Sequence, residues 1–279
     1  MKAATRFVAL SAALLIGLGW ADRAAQAQIK SGDNPEASEV WKKVRTSLFE
    51  ARPIAIATGD TLVLDVPARA EDAAIVPIAI STRLPQTAQR YVEKLYLIID
   101  NNPSPISAIF SLTPGSGRAD IETRVRVDEY TFVRAIAEMN DGSLLMTTRW
   151  VKASGGCSAP AGKDQAAALA SLGKMRFRVE GDVTSRQPVL AQLMISHPNH
   201  SGMVMDQASR QFTPAHYVRK VNVTYAGKPV MSADLDFSIS ENPNLRFYFV
   251  PDGKGRLAAE VLDSRDQSFK TSLDFGAAN

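Results

Sequence analysis

One cysteine, three histidines and three tryptophans stand in 279 residues, and the scarcities exclude whole classes of chemistry. A single thiol, Cys157, rules out an intramolecular disulfide and any cysteine-built zinc or iron–sulfur site. His197, His200 and His216 fall in one short stretch, but no cysteine or carboxylate run beside them completes a metal-ligand spacing. Satisfied loop histidines are the expectation, and no metal is assigned. Glycine-rich phosphate loops, nucleophile elbows and paired acidic motifs are also missing, so no catalytic residue and no cofactor is assigned. A formal net charge of +3 is not the balance of a nucleic-acid binder. After residue 20 no apolar run is long enough to cross a bilayer.

What is present begins at the amino terminus. Lys2 and Arg6 precede an apolar run over 7–20, followed by small residues ending at Ala25-Gln26-Ala27. That order predicts a secretory signal peptide over 1–27, with an apolar core shorter than the roughly 20 residues a membrane span needs. No paired arginines precede the run, which favours the Sec route over the twin-arginine route. The expectation is an exported protein with no membrane attachment after cleavage. Removing 1–27 leaves a net charge of about +1 and a length suited to two domains of ordinary size.

Apolar and polar positions alternate over 62–66, 75–80, 94–99, 106–112, 121–127, 131–137 and 144–151, with Pro, Gly, Asn and Asp in the breaks. The same texture resumes over 175–180, 189–195, 217–225, 228–238, 245–250 and 256–263. Gly227-Lys228 fits a hairpin turn, and 252–255 marks another turn. The predicted fold class is all-β: two tandem immunoglobulin-like β-sandwich domains, 35–157 and 175–279, joined by an alanine- and glycine-rich linker over 158–174. Asn102-Pro103 and Asn242-Pro243 each precede a run ending in a phenylalanine and a proline turn, which reads as one corner repeated in both halves. A short amino-terminal helix is predicted over 35–49, capped by Asn34, with Val40, Trp41, Val44 and Leu48 on one face. A second helix is predicted over 165–172, closed by Gly173.

Cys157 lies in Lys152-Ala153-Ser154-Gly155-Gly156-Cys157-Ser158-Ala159-Pro160, a stretch with nothing bulky to cover a thiol. Gly155 and Gly156 predict a flexible arm carrying an exposed chemical handle, to which a substrate can be attached. A thiol's ordinary pKa of about 8.5 leaves only a small thiolate fraction near neutrality, so activation is expected from a partner enzyme. A catalytic Cys/His pair would need a positioned base and an oxyanion hole, which such an arm does not offer. The residues alone leave open an incidental cysteine in a linker.

Ala74-Ile75-Val76-Pro77-Ile78, Asn102-Pro103-Ser104-Pro105, Thr123-Arg124-Val125-Arg126, Asp141-Gly142 and Gly155-Gly156-Cys157 resemble the SoxY family in order. Ile195-Ser196-His197-Pro198, Ser201-Gly202, Pro214-Ala215-His216-Tyr217-Val218 and Ile239-Ser240-Glu241-Asn242-Pro243 are similar to SoxZ. These are the two subunits of the periplasmic sulfur-substrate carrier of thiosulfate oxidation. The resemblance implies paired immunoglobulin-like sandwiches, a non-enzymatic carrier in the periplasm, and Cys157 as the covalent attachment point. It also implies periplasmic redox enzymes as partners, either a Sox-type cytochrome and hydrolase or a quinoprotein dehydrogenase. Two departures stand out: the subunits are fused here, and Ser158-Ala159-Pro160 follows the cysteine where the family has glycines and a free end. The alternative is an accessory or chaperone module of a quinoprotein dehydrogenase system with an incidental cysteine. Neither cargo nor oligomeric state is named by the sequence.

Overall fold

The computed structural model describes residues 34–160, 165–206 and 209–276. The signal peptide expected over 1–27 lies outside the described residues. A 3-10 turn, Pro35–Ala37, leads into α1, Glu39–Phe49. The predicted single helix is broken because two caps compete: Asn34 Oδ1 accepts from the N–H of Glu36, and Ser38 Oγ accepts from that of Trp41.

The first half contributes β1 (Ile54–Ile56), β2 (Leu62–Asp65), β3 (Val76–Thr82), β4 (Val92–Ile99), β5 (Ile106–Leu112), β6 (Ile121–Val125), β7 (Thr131–Met139) and β8 (Leu144–Val151). After α2, Gln165–Ala170, the second half contributes β9 (Met175–Glu180), β10 (Val189–Ile195), β11 (Val218–Tyr225), β12 (Lys228–Leu235), β13 (Asn244–Phe249), β14 (Gly255–Asp263) and β15 (Ser268–Phe275). Apart from β1 the halves have one topology. Strands β2-β3-β6 face β5-β4-β7-β8, just as β9-β10-β13 face β12-β11-β14-β15. Three strands opposite four is the seven-strand count of an immunoglobulin-like sandwich, so the all-β expectation holds.

The two sandwiches are not beads on a linker. Strand β5 pairs antiparallel with β12 over five residues, Ala108 opposite Leu235 through Leu112 opposite Met231, and β6 meets β13 at Glu122 opposite Arg246. Both sheets therefore run through both halves, as one nine-stranded and one six-stranded layer. Pairing edge to edge satisfies backbone groups that two free sandwiches would expose. Leu95, Phe110, Val125, Leu193, Val221 and Phe247 consequently belong to one continuous apolar core.

The repeated topology corrects the Asn-Pro echo. Asn102-Pro103 joins β4 to β5 within one sheet, whereas Asn242-Pro243 lies where the chain crosses from β12 to β13 in the other. The true counterpart of the first corner is the Ala226-Gly227 turn between β11 and β12, where both residues have positive φ, 48° and 77°. That is the backbone hand a two-residue hairpin requires. Strands β1 and β15 escaped the sequence reading. The first has only three residues, and the second alternates Phe269, Leu273 and Phe275 against polar positions on a face that is only half-buried.

Helix α1 covers the outer face of the larger sheet through Trp41, Val44 and Phe49, which pack with Tyr96, Ile98, Ile136 and Met146. All nine residues of β7 are buried as a result, one set against the main core and the other toward the helix. Arg134 of β7 pins this layer. It is fully buried, makes a bidentate pair with Asp100 at 2.8 and 2.7 Å, donates to the carbonyl of Pro35 at 2.6 Å, and lies 4.3 Å from the centre of the Trp41 ring. Asp100→Asn should leave the buried guanidinium with only the half-exposed Glu36 carboxylate, 3.4 Å away, and destabilise the protein by about 3–5 kcal/mol in urea titration, while the double change Asp100→Leu with Arg134→Met should recover most of that loss.

Candidate functional site

Cys157 ends a segment that leaves β8 and crosses the seam between the halves. Lys152 is tied to the strand-like stretch 68–70 by main-chain bonds to Ala68 and Ala70. Gly155 N–H then donates to Asp128 O at 2.7 Å, Gly156 N–H to Val127 O at 3.0 Å, and Cys157 N–H to Asp128 Oδ1 at 3.3 Å. From the second half, Ser201 O–H donates to Cys157 O at 2.5 Å. The thiol has no exposed surface.

This corrects the picture of a swinging arm. Gly155 does need its freedom, since it sits at φ 79°. Gly156 serves a different purpose: a Cβ there would collide with the carbonyl of Ala73 and come within 2.7 Å of that of Val127. The absence of side chains that suggested exposure is what lets the segment nest against the backbone of 73 and 127. Small residues make a chain flexible only where nothing packs on them, and here both halves do.

The buried thiol belongs to neither apolar cluster. Burial pushes its pKa up to about 12, the nearby carboxyl of Asp128 and that of Asp236 add to the rise, and Arg126 opposes it. Arg126 is itself buried, and its Nη1 donates to the carbonyls of Ile239 at 2.8 Å and Phe237 at 3.5 Å. Burial also raises the carboxyl of Asp236 above its ordinary range, and its Oδ1 is buried with no hydrogen-bond partner among the described residues. Cys157 is thus held as a protonated thiol. Asn102 completes the wall, donating from Nδ2 to Arg126 O and Ser238 Oγ and accepting from the N–H of Asp128.

The second half's side of the seam is fastened by histidines. His197 and His216 stack edge to face, 4.5 Å between ring centres, over the carboxylate of Asp263, with all three buried. Their ligand-type atoms lie within 4.8 Å of one another, the geometry of a candidate metal cluster. Hydrogen-bond chemistry argues otherwise. The backbone N–H of Asn199 can only donate, so His197 Nδ1 accepts it at 3.0 Å and the ring proton sits on Nε2, directed at Asp263 Oδ2 3.6 Å away. His216 Nε2 lies 2.7 Å from that oxygen, and Oδ1 accepts the N–H groups of Arg265 and Gln267. The carboxylate accepts three hydrogen bonds and faces His197 Nε2 from 3.6 Å, a lock that holds His197 and His216 to the end of β14. His200 stands apart from the lock and pairs with His216 only through the main chain. Asp263 was missed from the sequence because its partners lie far away along the chain.

Geometry and topology together define the class: a pair of fused immunoglobulin-like sandwiches sharing two sheets, with one thiol folded into their seam. Residues 45–157 match the family described as sulfur oxidation protein SoxY, and residues 177–274 match sulphur oxidation protein SoxZ. The chain belongs to the fused SoxY–SoxZ carriers of sulfur oxidation, whose SoxY and SoxZ parts are carrier components and not catalysts. No curated protein matches it in sequence. Among solved structures, the sulfur carrier protein SoxY from Chlorobium limicola f thiosulfatophilum is 22% identical, covering 40% of this chain and 89% of that one with a TM-score of 0.34. Superoxide reductase (neelaredoxin) from Ignicoccus hospitalis is 16% identical over 33% of this chain and 79% of its own, with a TM-score of 0.30. The fibronectin(III)-like modules of Clostridium thermocellum CbhA are 10% identical over 76% and 92%, with a TM-score of 0.22. Scores this low add nothing to the assignment, which rests on the two family matches.

Two outcomes follow from the geometry. Gly156→Ala must displace the segment from residues 73 and 127, so its thiol should react with a maleimide or an aromatic disulfide at least about tenfold faster than the native one, whose slow reaction reflects local opening. The imidazole of His197 has its pKa pushed down to about 4, by burial first and by His216 second, from an ordinary 6.5. The unfolded chain binds that proton more readily, so stability should fall as pH drops from 6.5 toward 4 and be unaffected by this group above that window. Urea titrations of the native protein and His197→Gln should show a shallower decline in the variant.

Proposed function

We propose that this protein is a periplasmic carrier that holds a sulfur-containing substrate covalently on Cys157 Sγ and presents it to redox enzymes of sulfur oxidation. The observation that carries the reading is the position of the chain's only thiol: it is the last residue of the SoxY match, and groups from both halves seat it. The leader-like order of residues 1–27 supports export to the periplasm. With thiosulfate as cargo, loading joins the Cys157 sulfur to the outer sulfur of thiosulfate. The thiol proton is released and two electrons pass to an oxidising partner of the cytochrome class, leaving a cysteine-bound thiosulfonate with a single negative charge. Because the resting thiol is buried and protonated, the partner must supply both access and deprotonation.

Burial of Cys157 is also the observation favouring a second reading, in which the fused sandwiches serve as an accessory module of a periplasmic quinoprotein dehydrogenase and the thiol is inert. Intact-protein mass spectrometry separates the two. Protein from cells grown on reduced sulfur should carry added sulfur mass at Cys157, and Cys157→Ser should carry none and fail to support oxidation. A native protein bearing no adduct, with a Cys157→Ser strain that oxidises sulfur normally, would leave only the second reading.

A further inference from the structure

The bonds that seat the thiol segment all run through its backbone: the amides of Gly155, Gly156 and Cys157 and the carbonyl of Cys157. Among the described residues none engages the sulfur, so the seat responds to what the sulfur carries through bulk and charge. The charge around it is unbalanced. Asp128 holds the Cys157 amide, Asp236 has a buried oxygen with no hydrogen-bond partner among the described residues and its charge reaches the thiol, and Arg126, the cation acting on the thiol among the described residues, donates its Nη1 to main-chain carbonyls. The positive charge of Arg126 acts on Cys157 first, and on Glu241 and Asp72 after it. His200, also near Arg126, has its pKa lowered by burial, with His216, Arg126 and Arg265 adding to the effect. An uncharged thiol fits such surroundings. An anion brought in on the sulfur meets these carboxyl groups against the single positive charge of Arg126 and loses its hydration.

We infer that Asp128 and Asp236 sort the segment by the charge of what Cys157 carries, retaining the free thiol in the seam and expelling it once it bears an anionic sulfur group. Loading then exposes the cargo to the next enzyme, and unloading returns the bare thiol to shelter. The inference deepens the carrier reading and rests on it, making these two carboxyl groups the specificity-determining residues for retention.

The experiment compares two adducts of equal size placed on the full protein by chemistry alone. Tetrathionate transfers half of itself to the thiol, forming the Cys157 sulfur–sulfur bond with release of thiosulfate and a proton, and leaves an anionic –S–SO3⁻ group. A tert-butyl methanethiosulfonate reagent forms the corresponding disulfide with release of methanesulfinic acid, and leaves a neutral –S–C(CH3)3 group of the same heavy-atom count. Hydrogen exchange of the amides of residues 155–157 is then measured, with the β7 amides as a control for intact folding. Exchange should be at least about tenfold faster with the anionic group than with the neutral one, and Asp128→Asn combined with Asp236→Asn should abolish the difference. Equal exchange for the two adducts, or a difference that survives in the double variant, overturns the inference. Neither outcome depends on cellular cargo, so the carrier reading stands or falls separately on the adduct found in cells.

Discussion

The antiparallel pairing of β5 with β12 is the constraint from which the rest of the molecule follows. Two seven-stranded sandwiches of the same topology would each expose an edge in both sheets; joined here, those edges satisfy each other and merge two modest cores into one. The join brings the 236–241 crossover of the second half against the 124–128 turn of the first. Arg126 donates its amide to Ser238 O and Ser240 donates to Arg124 O and Ala74 O. That contact builds the wall against which the thiol segment lies. Without the shared sheets there would be no seam, and the thiol segment would keep its bonds to residues 127 and 128 but lose the one from Ser201.

Much of the fold was legible because period-two alternation is imposed by burial on one face of a strand, and thirteen of the fifteen strands show it clearly enough to find. The seam was not legible. Phe110 and Ala233 look like core residues of separate domains, and nothing in either run says that their backbones pair with each other. The same limit applies to the site. Cys157 and Gly155 could be singled out as a lone thiol and a flexible position, but the role of Gly156 depends on carbonyls of residues 73 and 127 that reach it only in the folded protein. His197 and His216 were visible as a close pair in sequence, whereas Asp263, which fixes them, was one carboxylate among many until the strands were in place.

Fusing the partners changes what the cysteine segment can do. In a two-chain carrier the tail has a free end, but here the chain continues through α2 into β9, so the segment is a loop held at both ends. A closed loop explores a smaller volume, and the entropy gained on release is correspondingly smaller. The structure offsets this by seating the loop lightly. The four hydrogen bonds among the described residues, each with a net contribution of about 0.5–1.5 kcal/mol, place the cost of release at roughly 2–6 kcal/mol. That is less than the association energy of a micromolar complex, about 8 kcal/mol.

A cost of that size gives the buried thiol its meaning. A fully exposed carrier sulfur would meet every oxidant and thiol in its compartment, and one fixed in an apolar core could not be reached at all. Seating it among Asp128, Asp236 and Arg126, behind main-chain bonds and not a packed hydrophobic lid, keeps it protonated and unreactive by itself yet within reach of any partner that binds with ordinary affinity. Fastening the facing loop through His197, His216 and Asp263, away from the sulfur, leaves that wall in place while the segment moves. Opening is then a local event in one loop and not a separation of the halves, because the five-residue β5–β12 pairing and the shared core are untouched by it.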